Sequence, residues 1–230
     1  MKIDSIIIFC GGEGTRIQNL TKYCPKILIK ILNKPFIDHL LKILKKNKIK
    51  KIYLLSQYRS RQIENYVKYK KSFNFFVLKD GKKKLGTGGS LKKNIKYLPE
   101  YFFLTYGDSY LDTDYSPLRK KLVNTNKSIM SICKNNKKTS KGNIMFKNNK
   151  IIRYDKKKNF NYTDYGLFLL KKKDIESIKI KKKNFDFSEY IIPLISKKKI
   201  AHFISRKKFH ECGSYDGIQK IIKLLNTQNN

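Results

Sequence analysis

A doubly wound α/β fold, with a mostly parallel mixed sheet flanked by helices, is what this sequence of 230 residues predicts. Three observations carry that expectation. The chain opens with a short apolar segment, Ile6-Ile7-Ile8-Phe9-Cys10, that stops at a turn containing Gly11, Gly12 and Gly14. Short apolar segments then alternate with segments whose apolar residues recur at helical spacing, as in a βαβ series. Glycine-rich turns and the pair Gly107-Asp108 fall where strands would end, which is where such sheets bind ligands.

Each element follows in turn. Residues 3–9 read as a strand covered on both faces. Pro35 opens a helix whose stripe is Phe36, Leu40, Ile43 and Leu44. A second buried strand is expected at 52–55, a helix around 62–69 and a strand at 74–78. The loop KDGKKKLGTGG, a helix over 90–97 and a strand at 101–106 come next. Beyond Asp108 the rhythm changes, with a helix at 116–123 and strands near 128–133, 142–146 and 151–154. The NNK at 148–150 reads as a hairpin turn, and 166–170 as a further strand. Ser188 and Ser214 are N-cap types for helices at 189–195 and 215–226. No internal repeat and no linker is visible, so one domain over 1–230 is expected, with 1–112 and 113–230 as its two halves.

The hydrophobic content of 40% supports a well-buried core. The first apolar stretch is too short for a signal-peptide core or a membrane span, and no later run approaches one, so a cytoplasmic protein without membrane insertion is expected. Cys10, Cys24, Cys133 and Cys212 are far apart, with no CxxC pair, and read as reduced thiols. The net charge of +36 raises the question of nucleic acid. Nearly all of the excess is dispersed lysine, while the arginines are only Arg16, Arg59, Arg61, Arg119, Arg153 and Arg206. Base readout and bidentate phosphate clamping favour arginine, so the composition weighs against nucleic acid. A positive field still gathers small anionic substrates.

A glycine turn after a strand offers N–H groups to phosphate oxygens. A P-loop would end in GK[ST], whereas Gly14 is followed by Thr15 and Arg16. A dinucleotide site would need a third glycine where Ile17 stands and a carboxylate after the second strand, which instead ends Leu55-Ser56-Gln57. Asp108, closing an apolar strand behind Gly107, is the best metal ligand, suited to Mg²⁺ held largely by phosphates and water. Gln57, at the end of the second strand, is placed to reach a base. His202 and His210 read as structural.

The ordered set GGEGTR at 11–16, PK at 25–26, LGTGGSL at 85–91, YGDSYLD at 106–112, RYDKK at 153–157, DYGLFLL at 164–170, FDFSEYIIPLI at 185–195 and HECGS at 210–214 spans nearly the whole chain. It resembles the sugar-1-phosphate nucleotidyltransferases, with the LGTGG loop similar to that of small bacterial heptose 1-phosphate guanylyltransferases. The resemblance implies a Rossmann-like, glycosyltransferase-A-like fold. It also implies an Mg²⁺-dependent enzyme that moves NMP from an NTP to a sugar 1-phosphate for surface polysaccharide synthesis. The first half would bind the NTP and the second the sugar phosphate.

By that resemblance the amides of Gly11, Gly12, Gly14 and Thr15 wrap the triphosphate, Arg16 meets the outer phosphates, and Lys26 meets phosphate at the α-position or on the sugar. Gly86 and Gly88 would lie along the base, with GTP favoured and UTP or CTP as alternatives. Glu211 would supply the second metal carboxylate, where the family usually has Asp. Asp155, Lys156 and Asp164 would form the sugar-phosphate side, and Gly142 would admit the acceptor close to backbone. Two alternatives stand: a cytidylyltransferase for a phosphorylated non-sugar acceptor, because the acceptor motifs depart most from the sugar pattern, and a catalytically silent sugar-nucleotide-binding relative. A homo-oligomer is compatible with the sequence, which does not specify one.

Overall fold

The computed structural model of the chain describes residues 2–135 and 141–229. Strand β1 (Ser5–Phe9) is buried at every position. Its alternate side chains enter two separate cores: Ile6 and Ile8 pack on one face of the sheet, Ile7 and Phe9 on the other. A strand with no polar face is stable only when helices cover both sides, which is the doubly wound arrangement.

After β1 come α1 (Gln18–Thr21) and a small hairpin of β2 (Lys30–Ile31) and β3 (Lys34–Pro35). Helix α2 (Phe36–Lys46) follows, burying Phe36, Ile37, Leu40, Leu41, Ile43 and Leu44. Then β4 (Lys51–Ser56), α3 (Ser60–Val67), β5 (Asn74–Lys79), α4 (Gly86–Asn94) and β6 (Tyr101–Tyr106) continue the alternation. β1 pairs in parallel with β4 and β6, and β4 with β5, so the strand order is β5-β4-β1-β6.

The rest of the chain comprises β7 (Ser109–Tyr110), α5 (Ser116–Thr125), β8 (Ser128–Lys134), β9 (Ile144–Lys147), β10 (Lys150–Tyr154) and β11 (Tyr162–Lys171). It ends with α6 (Lys172–Glu176), α7 (Ser188–Ser196), β12 (Ile200–Ile204), β13 (His210–Glu211) and α8 (Tyr215–Asn229). β11 runs antiparallel to β6 and carries β8 and β9 beyond it, completing a nine-stranded mixed sheet. β7 and β13 form a separate two-stranded ladder. No helix among the described residues is long and apolar enough to cross a membrane.

Three local expectations are corrected. The GTGG of the expected loop is the first turn of α4, because the N–H groups of Gly88 and Gly89 both bond the carbonyl of Phe185, fixing that turn against the segment before α7. β11 begins earlier than residue 166, since a register shift between Asp164 and Phe168 lets the strand pass through Gly166 at φ +81°. Ser188 lies inside α7, and Asp186 does the capping, accepting from the Ser188 N–H at 2.9 Å and the Ser188 hydroxyl at 2.5 Å. Ser214 caps α8 through the N–H of Gly217 at 3.1 Å. The NNK turn holds Asn148 and Asn149 at φ 49° and 56°, the left-handed pair that a two-residue hairpin demands.

Candidate active site

The carboxyl ends of β1, β4 and β6 open on a cleft of about 460 Å³. The Cys10 N–H bonds the Leu55 carbonyl at 2.7 Å, and the Gly107 N–H bonds the Phe9 carbonyl at 2.9 Å, so the strand ends are laced together beneath it. The glycine turn forms one wall. The N–H groups of Gly11, Gly12 and Gly14 have no acceptor among the described residues. Unpaired amides on a turn between a strand and a short helical turn form an anion cradle. Thr21 holds the shape of the turn, its hydroxyl donating to the Gly14 carbonyl at 3.1 Å. Burial pushes the Cys10 thiol up, so it stays neutral beside the cradle.

Four charged side chains converge near the end of the glycine turn. Lys26 Nζ donates to Asp108 Oδ2 at 2.9 Å. Pairing of β7 with β13 brings the carboxyl-terminal segment alongside Asp108: Glu211 sits opposite Ser109, and the Cys212 N–H bonds the Asp108 carbonyl at 2.8 Å. Arg16 Nη2 lies 3.9 Å from Glu211 Oε2, with most of its side chain exposed and free to swing. Gly213 stands where the groups meet. A Cβ there would be 2.5 Å from Glu211 Oε2, 2.9 Å from Arg16 Nη2 and 3.2 Å from Asp108 Oδ2.

Two carboxylate oxygens around one point form a hard donor set that a divalent cation could share with phosphate oxygens and water. No group of three or more His, Cys, Asp or Glu side chains among the described residues could hold an ion unaided. Glu211 is also tied to its own loop, accepting from the Gly213 N–H at 2.6 Å and the Ser214 hydroxyl at 2.5 Å.

Gln57 and Gly86 also line the cleft, together with Asp80, Thr87 and Ser90. Gln57 Nε2 donates weakly to the Lys82 carbonyl at 3.4 Å. Gly88 is buried outside the cleft lining, and a Cβ on it would be 2.4 Å from the Phe185 ring. Its lack of a side chain therefore serves the packing of α4 on Phe185. Across the cleft mouth Lys84 Nζ and Glu13 Oε1 pair at 2.8 Å.

The residues expected on the sugar-phosphate side separate into two groups. Lys156 Nζ bonds Asp186 Oδ1 at 2.7 Å, and Tyr154 OH donates to Asp164 Oδ2 at 3.4 Å. Asp164 is pushed up to about 6 by burial, against the opposing pull of the Gly166 N–H and the Lys156 charge. Tyr106, which lines the cleft, feels the charges of Asp164, Asp186 and Asp108, so it stands between this cluster and the Lys26–Asp108 pair. Asp155 turns aside to bond Arg153 and the Lys157 N–H. Gly142 forms a bridge to Phe160, with its N–H on Asn159 Oδ1 at 3.0 Å, and its missing side chain makes room for backbone. His202 stacks edge-on against Phe146, and burial lowers it to about 4, while His210 is also lowered by burial.

Sequence reading did not single out Asp80, Tyr106, Asp186 or Gly213. Tyr106, Asp186 and Gly213 lie inside motifs already quoted, and a neighbour at a strand end or helix start is the signal that could have marked them.

A sequence profile of the family described as Nucleotidyl transferase matches residues 5–227. A D-glycero-alpha-D-manno-heptose 1-phosphate guanylyltransferase of Campylobacter jejuni is 36% identical over 115 residues, 49% of this chain and 51% of the relative. The bifunctional protein GlmU of Methanococcus maripaludis is 32% identical over 102 residues, 44% of this chain and 24% of the relative. The matched region thus spans about half the length of the first relative and a quarter of the second. Among solved structures, HddC from Yersinia pseudotuberculosis complexed with GMP-PN superposes with a TM-score of 0.78 at 22% identity, covering 97% of this chain and 100% of that one. A UDP-glucose pyrophosphorylase complexed with UDP-glucose gives 0.80 at 17% identity, covering 99% and 100%. At these identities the two structures establish the fold, a Rossmann-like, glycosyltransferase-A-like sheet.

Proposed function

We propose, from the premise that the chain belongs to the nucleotidyl transferase family, that it transfers a nucleoside monophosphate from an NTP to a sugar 1-phosphate and releases pyrophosphate. The observation that carries this reading is the convergence of Arg16, Asp108 and Glu211 on Gly213, with Lys26 on Asp108, in the same cleft as the unpaired glycine amides. A site with cations, carboxylates and free N–H groups but no activated hydroxyl, thiol or imidazole suits a reaction whose nucleophile is already an anion.

In that reaction a phosphate oxygen of the acceptor bonds to the α-phosphorus as the bond from that phosphorus to the bridging oxygen breaks. The amides of Gly11, Gly12 and Gly14 hold the β- and γ-phosphates. Arg16, loosely held by Glu211, swings onto them and stabilises the charge that develops on departing pyrophosphate. Lys26 is held in place by Asp108 and offers its remaining protons to the α-phosphate and the incoming phosphate, keeping two anions in line. Asp108 and Glu211 would hold Mg²⁺, which when bound supplies charge neutralisation between the phosphates. Asp164, Asp186, Lys156, Tyr154 and Tyr106 form a polar cluster suited to a hydroxyl-rich acceptor. GTP is the donor we assign, in keeping with the guanylyltransferase similarity and the LGTGG loop.

The test is pyrophosphate release from purified protein across the four NTPs and a panel of sugar 1-phosphates. Release that requires NTP, acceptor and Mg²⁺ together supports the reading. Tight NDP-sugar binding with no release across the panel would instead identify a silent binding relative.

A further inference from the structure

Asp80 follows directly on β5, lines the cleft and is 9% exposed. Its two carboxylate oxygens have different surroundings. Oδ1 accepts from the Ser90 hydroxyl at 2.8 Å and from Asn94 Nδ2 at 3.2 Å, both on α4. Oδ2 accepts no hydrogen bond from the described residues, and it lies 3.9 Å from the position a Cβ on Gly11 would take, beside Gln57. The adjoining backbone is pinned as well, since Lys93 Nζ donates to the carbonyls of Lys79 at 3.1 Å and Asp80 at 2.7 Å. The result is a fixed carboxylate with one oxygen spent on the helix and the other kept for the cleft. Burial raises its pKa, and Ser90, Lys93 and Asn94 counter that effect.

An ionised carboxylate only accepts hydrogen bonds. Guanine offers two adjacent donors, N1–H and the 2-amino group. Uracil and thymine place a single N–H between two carbonyls, which would face the carboxylate with repulsion. Cytosine and adenine set one amino group beside an acceptor nitrogen. Anchoring α4 needs only the acceptor at Oδ1, which an asparagine would equally provide. The free Oδ2 is therefore unexplained by packing and explained by a ligand with clustered donors.

We infer that Asp80 is the base-reading residue of this site, with Oδ2 accepting from the N1–H and 2-amino edge of guanine. The inference rests on the nucleotidyl-transfer reading and adds to it the residue that selects the donor nucleotide.

The experiment is titration calorimetry of native protein and Asp80→Asn with GTP and with ITP, whose base lacks the 2-amino group. Native protein should bind GTP at least about tenfold more tightly than ITP, and Asp80→Asn should bring the two within about twofold. Both affinities are measured on one preparation, so any unfolded fraction cancels in the ratio. A native ratio near one, or a native ratio kept by Asp80→Asn, overturns the assignment. Should Asp80→Asn not fold, native protein with XTP decides: the 2-carbonyl of xanthine must weaken binding below that of ITP, and equal or tighter binding overturns the assignment. Pyrophosphate release measured alongside separates the two claims. Release from several NTPs without guanine selectivity defeats Asp80 as reader alone, whereas guanine-selective binding without release supports Asp80 and defeats the catalytic reading.

Discussion

Lys26 Nζ is 2.9 Å from Asp108 Oδ2, joining two residues 82 positions apart at the edge of the cleft. Each side chain is mostly shielded, so the ammonium is positioned by the same carboxylate that would share a cation with the substrate phosphates. Asp108→Asn keeps a hydrogen-bond acceptor but loses the charge. Turnover should fall by roughly 10²–10³-fold, with the melting temperature changed by no more than a few degrees. Pyrophosphate-release kinetics and a thermal melt measure the two effects, and full activity in this variant would remove Asp108 from the metal role.

Gly213→Ala tests the meeting point itself. The added methyl would stand 2.5 Å from Glu211 Oε2 and 3.2 Å from Asp108 Oδ2, displacing the carboxylates from each other and Arg16 from both. Activity should drop about a hundredfold or more, as misplacement of catalytic groups by an ångström does. Circular dichroism should show an intact fold. Near-native kinetics would mean that these groups need not converge.

Asp164 carries a pH dependence. Its folded pKa of about 6 lies above its ordinary value of 3.8, so between those values the folded chain binds more protons than the unfolded chain. Stability from this residue is fully present below the lower value and is lost as the pH rises through the upper one. Asp164→Asn should therefore stabilise the protein above that window by about 1–2 kcal/mol, after allowance for partial exposure, and by much less at acid pH. Denaturant melts at several pH values would show this, and a gain independent of pH would contradict it.

Gly88→Ala should cost about 1–3 kcal/mol, since its methyl would overlap the Phe185 ring at 2.4 Å. Trimming the ring with Phe185→Leu should make the two losses less than additive in a double-mutant cycle of chemical melts. Strict additivity would place the cost elsewhere.

The sheet was legible because its strands are apolar on both faces: Ile6 to Phe9 and Phe102 to Leu104 have to be covered by helices, and they are. Asp108 was legible as a carboxylate at a strand end, and it does follow β6, beside Lys26. What stayed hidden depends on chain segments meeting. Asp80 is one residue of the loop KDGKKKLGTGG until Ser90 and Asn94 take one of its oxygens. Gly213 is one residue of the HECGS stretch until Arg16, Asp108 and Glu211 are seen around it. The GTGG run reads as a loop because glycine disfavours helix, and contact with Phe185 overrides that preference.

The short β7–β13 ladder has a consequence for how the site assembles. The glycine cradle and Asp108 come from the first half of the chain, but Glu211 reaches them only when residues 210–211 pair with residues 109–110 and α8 is capped at Ser214. A local opening confined to that ladder and the start of α8 would leave the nucleotide pocket standing and dismantle the carboxylate pair. On the nucleotidyl-transfer reading, the phosphate cradle and the carboxylate pair therefore rest on different backbone pairings, and the second closes only when residues from both halves of the chain have met.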